Sequence, residues 1–121
     1  MSSLYDELGG ESTLNAAVDS LYRRILKDDR IRLFFEGVNM QRQIAKQKAF
    51  LTKVFAGPNR YTGADMRNGH AHLVAKGLND SHFDAFIENL KATLQELEIS
   101  PALIDRVGTY AETHRNDVLG R

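Results

Sequence analysis

Five polar side chains lie at positions where a helical pattern expects apolar residues: Tyr22, Gln43, Gln47, His70 and His114. Leaving a buried amide or hydroxyl without a hydrogen-bond partner costs about 1–3 kcal/mol, so each needs a partner. Phenol and amide groups donate hydrogen bonds, and imidazole is the commonest protein ligand for metals. The pattern predicts either a core in which these polar groups have partners within the protein, or a pocket in which they bind a small polar ligand.

His70 is aligned with Met66 and Leu73 on the inward face of a short predicted helix. A lone inward histidine is more often a satisfied core residue than a metal ligand. A zinc site needs three or four protein ligands, and the sequence has no cysteine. Haem needs only one axial histidine, because the porphyrin supplies four nitrogens to the iron. Both interpretations stay open for His70.

His114 continues the apolar stripe of Val107 and Tyr110 near the end of the last predicted helix. A histidine at a helix C-terminus commonly faces solvent and interacts with the helix dipole. Its place on the stripe indicates instead that it points inward. His72 and His82 fall on surface positions, and no role is assigned to them.

The elements that position these residues are all helical, because the apolar spacing follows the i, i+3, i+4, i+7 pattern between glycine and proline marks. We therefore predict an all-α fold in a single domain, residues 1–121. The first half of the chain is predicted to contain a short helix capped by Ser3 and ending at Gly9, a helix over roughly 12–27, a short turn at Ile31, Phe34 and Phe35, and a helix from about Met40 to Phe55 capped by Asn39. The second half is predicted to contain a loop over 56–63, the short helix around His70, a long helix capped by Asp80 or Ser81, and a last helix starting at Ser100-Pro101.

The predicted helix from Met40 carries the two glutamines on its inner side. At about 100° per residue, Gln47 falls in the middle of the apolar arc and Gln43 falls beside it. Phe50 lies at the edge of the arc, and Lys46 lies just beyond Phe50. The arc itself comprises Met40, Ile44, Leu51, Val54 and Phe55.

Composition excludes several classes of partner. Lys+Arg and Asp+Glu are both 16 in the 121 residues, so the net charge is zero. Nucleic acids and anionic membranes normally require a basic face, so we expect neither as a partner. No secretory leader and no membrane-spanning stretch is apparent, and a cytoplasmic protein is the expectation.

The ordered segments of the chain resemble a truncated haemoglobin of the first group over essentially the whole length. They are "LYDELGG", "DSLYRRILKDDRI", "FFEGVNMQRQIAKQKAF", "YTGADMRNGH", "HFDAFIENLKATLQEL" and, similar to cyanobacterial members, "THRNDVL". The resemblance implies a two-over-two helical sandwich around one haem b. One feature departs from the family: Ala56-Gly57 stands where a glycine pair is usual, and we expect Gly57 still to end the helix.

The resemblance also implies roles for individual residues. His70 matches the proximal iron ligand. Tyr22, Gln43 and Gln47 match distal donors that form a hydrogen-bond cage around bound oxygen. The residues expected to contact the porphyrin are Phe35, Phe50, Met66 and Leu73.

Two further residues match positions whose role differs among relatives. Lys46 either pairs with a haem propionate, with its ammonium in water, or loses its proton and binds the iron as sixth ligand. His114 matches a histidine that bonds covalently to a haem vinyl group in cyanobacterial relatives. That addition requires a neutral imidazole at the haem edge.

The function implied is the binding of diatomic gases: O2, NO and CO. The most concrete reaction is nitric oxide dioxygenation, in which NO, O2 and one electron give nitrate. No segment resembles a flavin or nicotinamide domain, so a separate reductase must supply the electron to what we expect to be a monomer. The alternative is oxygen binding, storage or sensing without turnover. A cofactor-free helical interaction module would leave the inward polar residues as satisfied core groups, and a metal hydrolase would need clustered carboxylates and histidines.

Overall fold

The computed structural model describes residues 4–35, 40–55 and 63–121, and all regular structure in these ranges is helical. The all-α prediction is therefore confirmed. The elements are α1 (Leu4–Leu8), α2 (Gly10–Leu26), a 3₁₀ turn (Arg32–Phe34), α3 (Met40–Val54), α4 (Gly63–Ala75), α5 (Asp80–Glu96), α6 (Pro101–Glu112) and α7 (Arg115–Val118). The predicted Ser3 and Asn39 caps and most of the predicted 56–63 loop, with Gly57, lie outside the described residues.

Two consecutive glycines form the junction of α1 and α2, with Gly9 between the helices and Gly10 as the first residue of α2. Gly9 has φ 115° and Gly10 has φ 67°, both in the region that side chains other than glycine rarely adopt. A Cβ at Gly9 would also lie 2.2 Å from the Thr13 hydroxyl oxygen. This turn lets α1 fold back so that Leu4 and Leu8 bury against the rest of the core.

Helix α2 packs against both α3 and α5, and its buried face forms the centre of the fold. Every residue of its predicted apolar stripe is buried: Leu14, Ala17, Val18, Leu21, Tyr22 and Ile25. Helix α5 packs in turn against α6, and α4 packs against α7. The burial pattern confirms the 3.6-residue period from which the helices were predicted.

The cap of α5 is Asn79, so the prediction of Asp80 or Ser81 is wrong by one or two residues. The Asn79 side-chain oxygen accepts a hydrogen bond from Ser81 N at 2.9 Å. In return, His82 Nδ1 accepts one from Asn79 N at 3.0 Å, which completes a capping box. His82, which we expected to be a surface residue without a role, therefore stabilises the start of α5.

The last helix starts as predicted, with Ser100 accepting a hydrogen bond from Leu103 N at 3.4 Å. Helix α6 ends at Glu112, and a tight turn follows before α7. In that turn His114 N donates to Ala111 O at 3.0 Å. His114 therefore occupies the junction between two helices.

The N-terminal half of α3 departs from the predicted apolar arc. Ile44 is 44% exposed, whereas Leu51 and Phe55 on the same arc are fully buried. All side chains described between residues 41 and 46 are exposed, and burial begins in the second half of the helix. Among the described side chains of the predicted arc, the burial of Leu51 and Phe55 confirms it toward the C-terminal end of the helix, whereas the exposure of Ile44 contradicts it toward the N-terminal end.

Within the described ranges, no helix is both long and apolar enough to cross a membrane.

Candidate functional site

His70 lies near the middle of α4 and is half-buried. Its ring meets the ring of Phe50 from α3 edge-on, with centroids 5.5 Å apart. Phe50 also contacts Phe86 from α5 at 5.2 Å. The structure thus brings the predicted ligand His70 and the predicted porphyrin contact Phe50 together, and Phe50 in turn packs against α5.

Tyr22 lies on the buried face of α2 and is only 4% exposed. Its ring is T-shaped against Phe35, with centroids 6.3 Å apart. Burial raises the pKa of the Tyr22 hydroxyl above its ordinary value of 10.0. The hydroxyl therefore keeps its proton at physiological pH and can act as a hydrogen-bond donor.

His114 is buried, with 9% of its surface exposed. Its ring meets the ring of Tyr110 edge-on at 5.1 Å. The interpretation of His114 as a solvent-facing dipole partner is therefore wrong, and its inward orientation is confirmed, although it lies two residues beyond the end of α6.

The remaining predicted site residues have mixed outcomes. Lys46 is exposed on α3, and Leu73 is half-buried on α4, three residues after His70. The side chains of Gln43, Gln47 and Met66 lie outside the described part of the structure, so their predicted roles stay predictions.

The donor set suits a prosthetic group that brings its own ligands to iron. Among the described residues, no three His, Asp or Glu side chains come together in a way that could hold a bare metal ion. His70 instead offers a single imidazole in contact with the ring of Phe50, which itself packs against Phe86. One imidazole beside apolar rings is what a flat macrocycle with four nitrogen ligands requires.

Sequence reasoning missed Arg67, which anchors the helix that carries His70. The Arg67 guanidinium donates to Asp117 Oδ1 at 3.1 Å and to the carbonyl of Arg121 at 3.0 Å. These bonds tie α4 to the C-terminal segment 50 residues later in the chain. An exposed arginine carries no signal in its local pattern that would have revealed this link.

Residues 3–119 match the family described as bacterial-like globin. This chain belongs to the bacterial-like globin family. The resemblance to truncated haemoglobins of the first group, which the sequence indicated, is confirmed by the relatives of this globin.

The relatives cover this globin from end to end. It is 48% identical over 124 residues to the group 1 truncated haemoglobin of Synechocystis sp., with 100% of both chains covered. It is 41% identical over 121 residues to that of Tetrahymena thermophila, with 98% of this chain and 96% of the relative covered.

Solved structures confirm the two-over-two globin fold. The 2/2 haemoglobin of Synechococcus sp., in the cyanomet state and with covalently attached haem, superposes with a TM-score of 0.89 at 46% identity, covering 99% of this chain and 100% of that one. The Fe(III) truncated haemoglobin of Tetrahymena pyriformis gives a TM-score of 0.87 at 40% identity, with the same coverage. Membership of the globin family implies haem as prosthetic group and diatomic gases as ligands.

Proposed function

We propose that this globin binds haem b through His70 and takes up O2, NO and CO on a distal side formed by Tyr22, Gln43 and Gln47. The observation that carries the proposal is the buried Tyr22. A phenol at 4% exposure in an apolar helix face provides a hydrogen-bond donor where the globin fold offers space for a gas ligand. When bound, haem supplies an iron that coordinates gases and exchanges one electron.

His70 provides the imidazole nitrogen for the iron. The edge-on contact with Phe50 restricts rotation of the imidazole, which fixes the plane in which its nitrogen lone pair is presented. Phe35 and Phe50, together with Leu73 and Met66, supply apolar contacts that exclude water from the macrocycle. Exclusion of water strengthens every hydrogen bond formed inside the pocket.

Tyr22 stabilises negative charge that develops on a gas ligand. A donor placed in advance stabilises such charge more than water does, because the protein need not reorganise around it. The raised pKa of Tyr22 keeps the hydroxyl protonated throughout the physiological pH range. In this proposal Gln43 and Gln47 add amide donors from α3.

The reaction that fits these groups best is nitric oxide dioxygenation, NO + O2 + e⁻ → NO3⁻. Each turnover consumes one electron, so we propose a separate reductase as electron donor. Reversible oxygen binding without turnover would use the same residues. The two functions differ in whether an electron donor returns the ferric protein to the ferrous state after each NO is converted to nitrate.

Lys46 is proposed to control access to the distal side. Its exposed position on α3 is compatible with either pairing to a propionate or swinging inward to the iron. An ammonium must lose its proton before nitrogen can coordinate, so ligation by Lys46 would increase with pH.

The experiment is hemin reconstitution followed by visible spectra of the ferric and ferrous protein across pH. We expect a Soret band that saturates at one hemin per chain in the native protein. Iron ligation by Lys46 would give a low-spin spectrum that Lys46→Ala converts to high spin, with Lys48→Ala as the matched control on the same helix. Protein that stays colourless with hemin would contradict the haem proposal.

The dioxygenation step is tested by mixing the oxygenated ferrous protein with NO and measuring nitrate. One nitrate per haem, formed within the mixing time, supports dioxygenation. An added electron donor should then restore the ferrous protein for the next addition of NO, and ferric protein that accumulates in the presence of the donor would favour oxygen binding without turnover.

A further inference from the structure

Arg115, the first residue of α7, is the centre of an ionic cluster that joins three helices. Its guanidinium donates to Asp80 Oδ1 at 3.0 Å and to Asp84 Oδ1 at 2.5 Å, both on α5. It also donates to Glu112 at 2.7 and 2.8 Å, at the end of α6. The same guanidinium stacks over the ring of Phe83, 4.5 Å from its centroid.

This cluster is more ordered than an ordinary surface ion pair. The Arg115 side chain is only 19% exposed. Carboxylates accept hydrogen bonds from its N–H groups, and its guanidinium lies over the Phe83 ring. The hydrogen bond from Arg115 is the largest influence that lowers the pKa of Glu112, which keeps that carboxylate ionised. A network with good geometry holds its members in place, unlike isolated exposed pairs.

His114 lies in the turn between Glu112 and Arg115, whose side chains are hydrogen-bonded to each other. Glu112 precedes it by two residues and Arg115 follows it directly, so the bonds between them close the turn around His114. Asp80 and Asp84 fix the same turn to the start of α5. The backbone at His114 is thereby restrained from both sides.

A second set of bonds connects this turn to the helix of His70. Arg121 donates to both carboxylate oxygens of Asp80, at 2.9 and 3.0 Å. Arg67 on α4 donates to the Arg121 carbonyl and to Asp117. Asp80 therefore accepts bonds from both ends of the segment 115–121, and that segment also contacts α4.

We propose that Arg115 is a positioning residue that holds the His114 imidazole in the orientation needed to bond to a haem vinyl group. The inference rests on the proposed haem function. In the bonding step, an imidazole nitrogen forms a bond to one vinyl carbon and the vinyl π bond breaks. The attacking nitrogen supplies its lone pair, the other ring nitrogen releases its proton to solvent, and the other vinyl carbon takes up a proton from solvent, so no electron is gained or lost.

The first test needs no haem. In the apoprotein, the ring protons of His114 and Tyr110 are close enough for a nuclear Overhauser effect, because their rings meet at 5.1 Å. We expect Arg115→Met to abolish this effect. Arg106→Met is the matched control, since it also removes an ion pair between two helices, that of Arg106 with Glu7 at 2.8 Å, and should leave the effect intact.

The second test measures covalent attachment. Hemin is added, the protein is kept ferric or reduced with dithionite, and the fraction of haem that resists acid–organic extraction is followed in time. We expect Arg115→Met to attach haem on the order of tenfold more slowly than the Arg106→Met control, because misplacing a reacting group by about 1 Å is costly. Hemin affinity should be equal in the two variants, whereas a merely structural defect would lower affinity and attachment together.

Asp84→Asn provides a milder variant if Arg115→Met does not fold, and it should slow attachment in the same direction. Attachment rates and ring contacts equal to those of the control in both variants would overturn the positioning role. Native protein that binds hemin but never retains it on extraction would overturn attachment and with it the role of Arg115. Protein that takes up no hemin would overturn the proposed function, and the apoprotein experiment would still decide whether Arg115 orients His114.

Discussion

At the scale of single residues, only the hydroxyl oxygen distinguishes Tyr22 from an apolar phenylalanine on the buried face of α2. The sequence identified this residue because a phenol stands between Val18 and Ile25 on an apolar stripe, and the structure buries it as expected. The family resemblance assigned His70 and Phe50 to one site, and the structure brings their rings into contact. The links that Arg67 and Arg115 make to other helices could not be predicted, since those partners are 50 residues away for Arg67 and 31 and 35 residues away for Arg115.

Tyr22→Phe should increase the rate of oxygen dissociation on the order of tenfold or more, because it removes a preplaced hydrogen-bond donor to the bound oxygen. The fold should be unaffected, since the ring and its contact with Phe35 remain. Stopped-flow displacement of O2 by CO measures the rate. Tyr5→Phe, on a half-buried tyrosine of α1, is the control and should leave the rate unchanged.

Ile44 and Leu51 share one predicted arc, yet their substitution should have unequal effects. Leu51→Ala should lower the free energy of unfolding by about 2–5 kcal/mol, because Leu51 is fully buried. Ile44→Ala should change it by less than about 0.5 kcal/mol, because Ile44 is largely exposed. Urea unfolding of the two variants compares them directly, and equal losses would contradict the described packing of α3.

At the scale of elements, helix interiors were predicted more accurately than helix ends. The start of α5 offers Asn79, Asp80 and Ser81 in a row, and all three residue types cap helices well. Only the backbone geometry selects Asn79, whose extended φ and ψ place its side chain over the Ser81 amide. The interruption of the last helix at His114 was likewise hidden, because no glycine or proline marks it.

Asn79→Ala should lower the free energy of unfolding by about 1 kcal/mol, the usual cost of losing an N-cap. Ser81→Ala keeps the cap acceptor and serves as control. Thermal unfolding followed by circular dichroism measures both. A larger loss in Ser81→Ala would mean that the cap lies where the sequence first predicted it.

The connection after α2 should contribute stability that depends on pH. Hydrogen bonds from Arg30, and with it Asn89 on α5, hold the pKa of Asp28 well below its usual range. Because the folded carboxylate has the lower pKa, its contribution is complete above about pH 4 and is lost as the pH falls toward the folded value.

Asp28→Asn should therefore cost about 1 kcal/mol at neutral pH, with a difference from native that shrinks below about pH 4. Urea unfolding at several pH values measures this. The control is Asp29→Asn, whose side chain is 86% exposed beside Arg32 and should have little effect at any pH. A difference independent of pH would contradict the role of the Asp28 charge.

At the scale of the whole molecule, haem binding and folding should be coupled. A ligand that binds only the folded chain raises the melting temperature in proportion to the logarithm of its concentration over its dissociation constant. One hemin per chain should therefore raise the melting temperature of the native protein. His70→Gly should lose most of this increase and recover part of it with added imidazole, whereas His72→Gly, at an exposed position on the same helix, should keep it.

Gly9 and Gly10, which both have positive φ at the junction of α1 and α2, determine which residues the fold tolerates at these two positions. A library that samples every amino acid at each position should retain glycine almost exclusively at residue 9, where both φ and the Thr13 hydroxyl oppose a side chain. Position 10, with φ 67° and only Tyr5 nearby at 3.9 Å, should also admit asparagine. Substitutions in this chain would therefore accumulate unevenly, because residue 9 is nearly invariant and residue 10, directly after it, is more permissive.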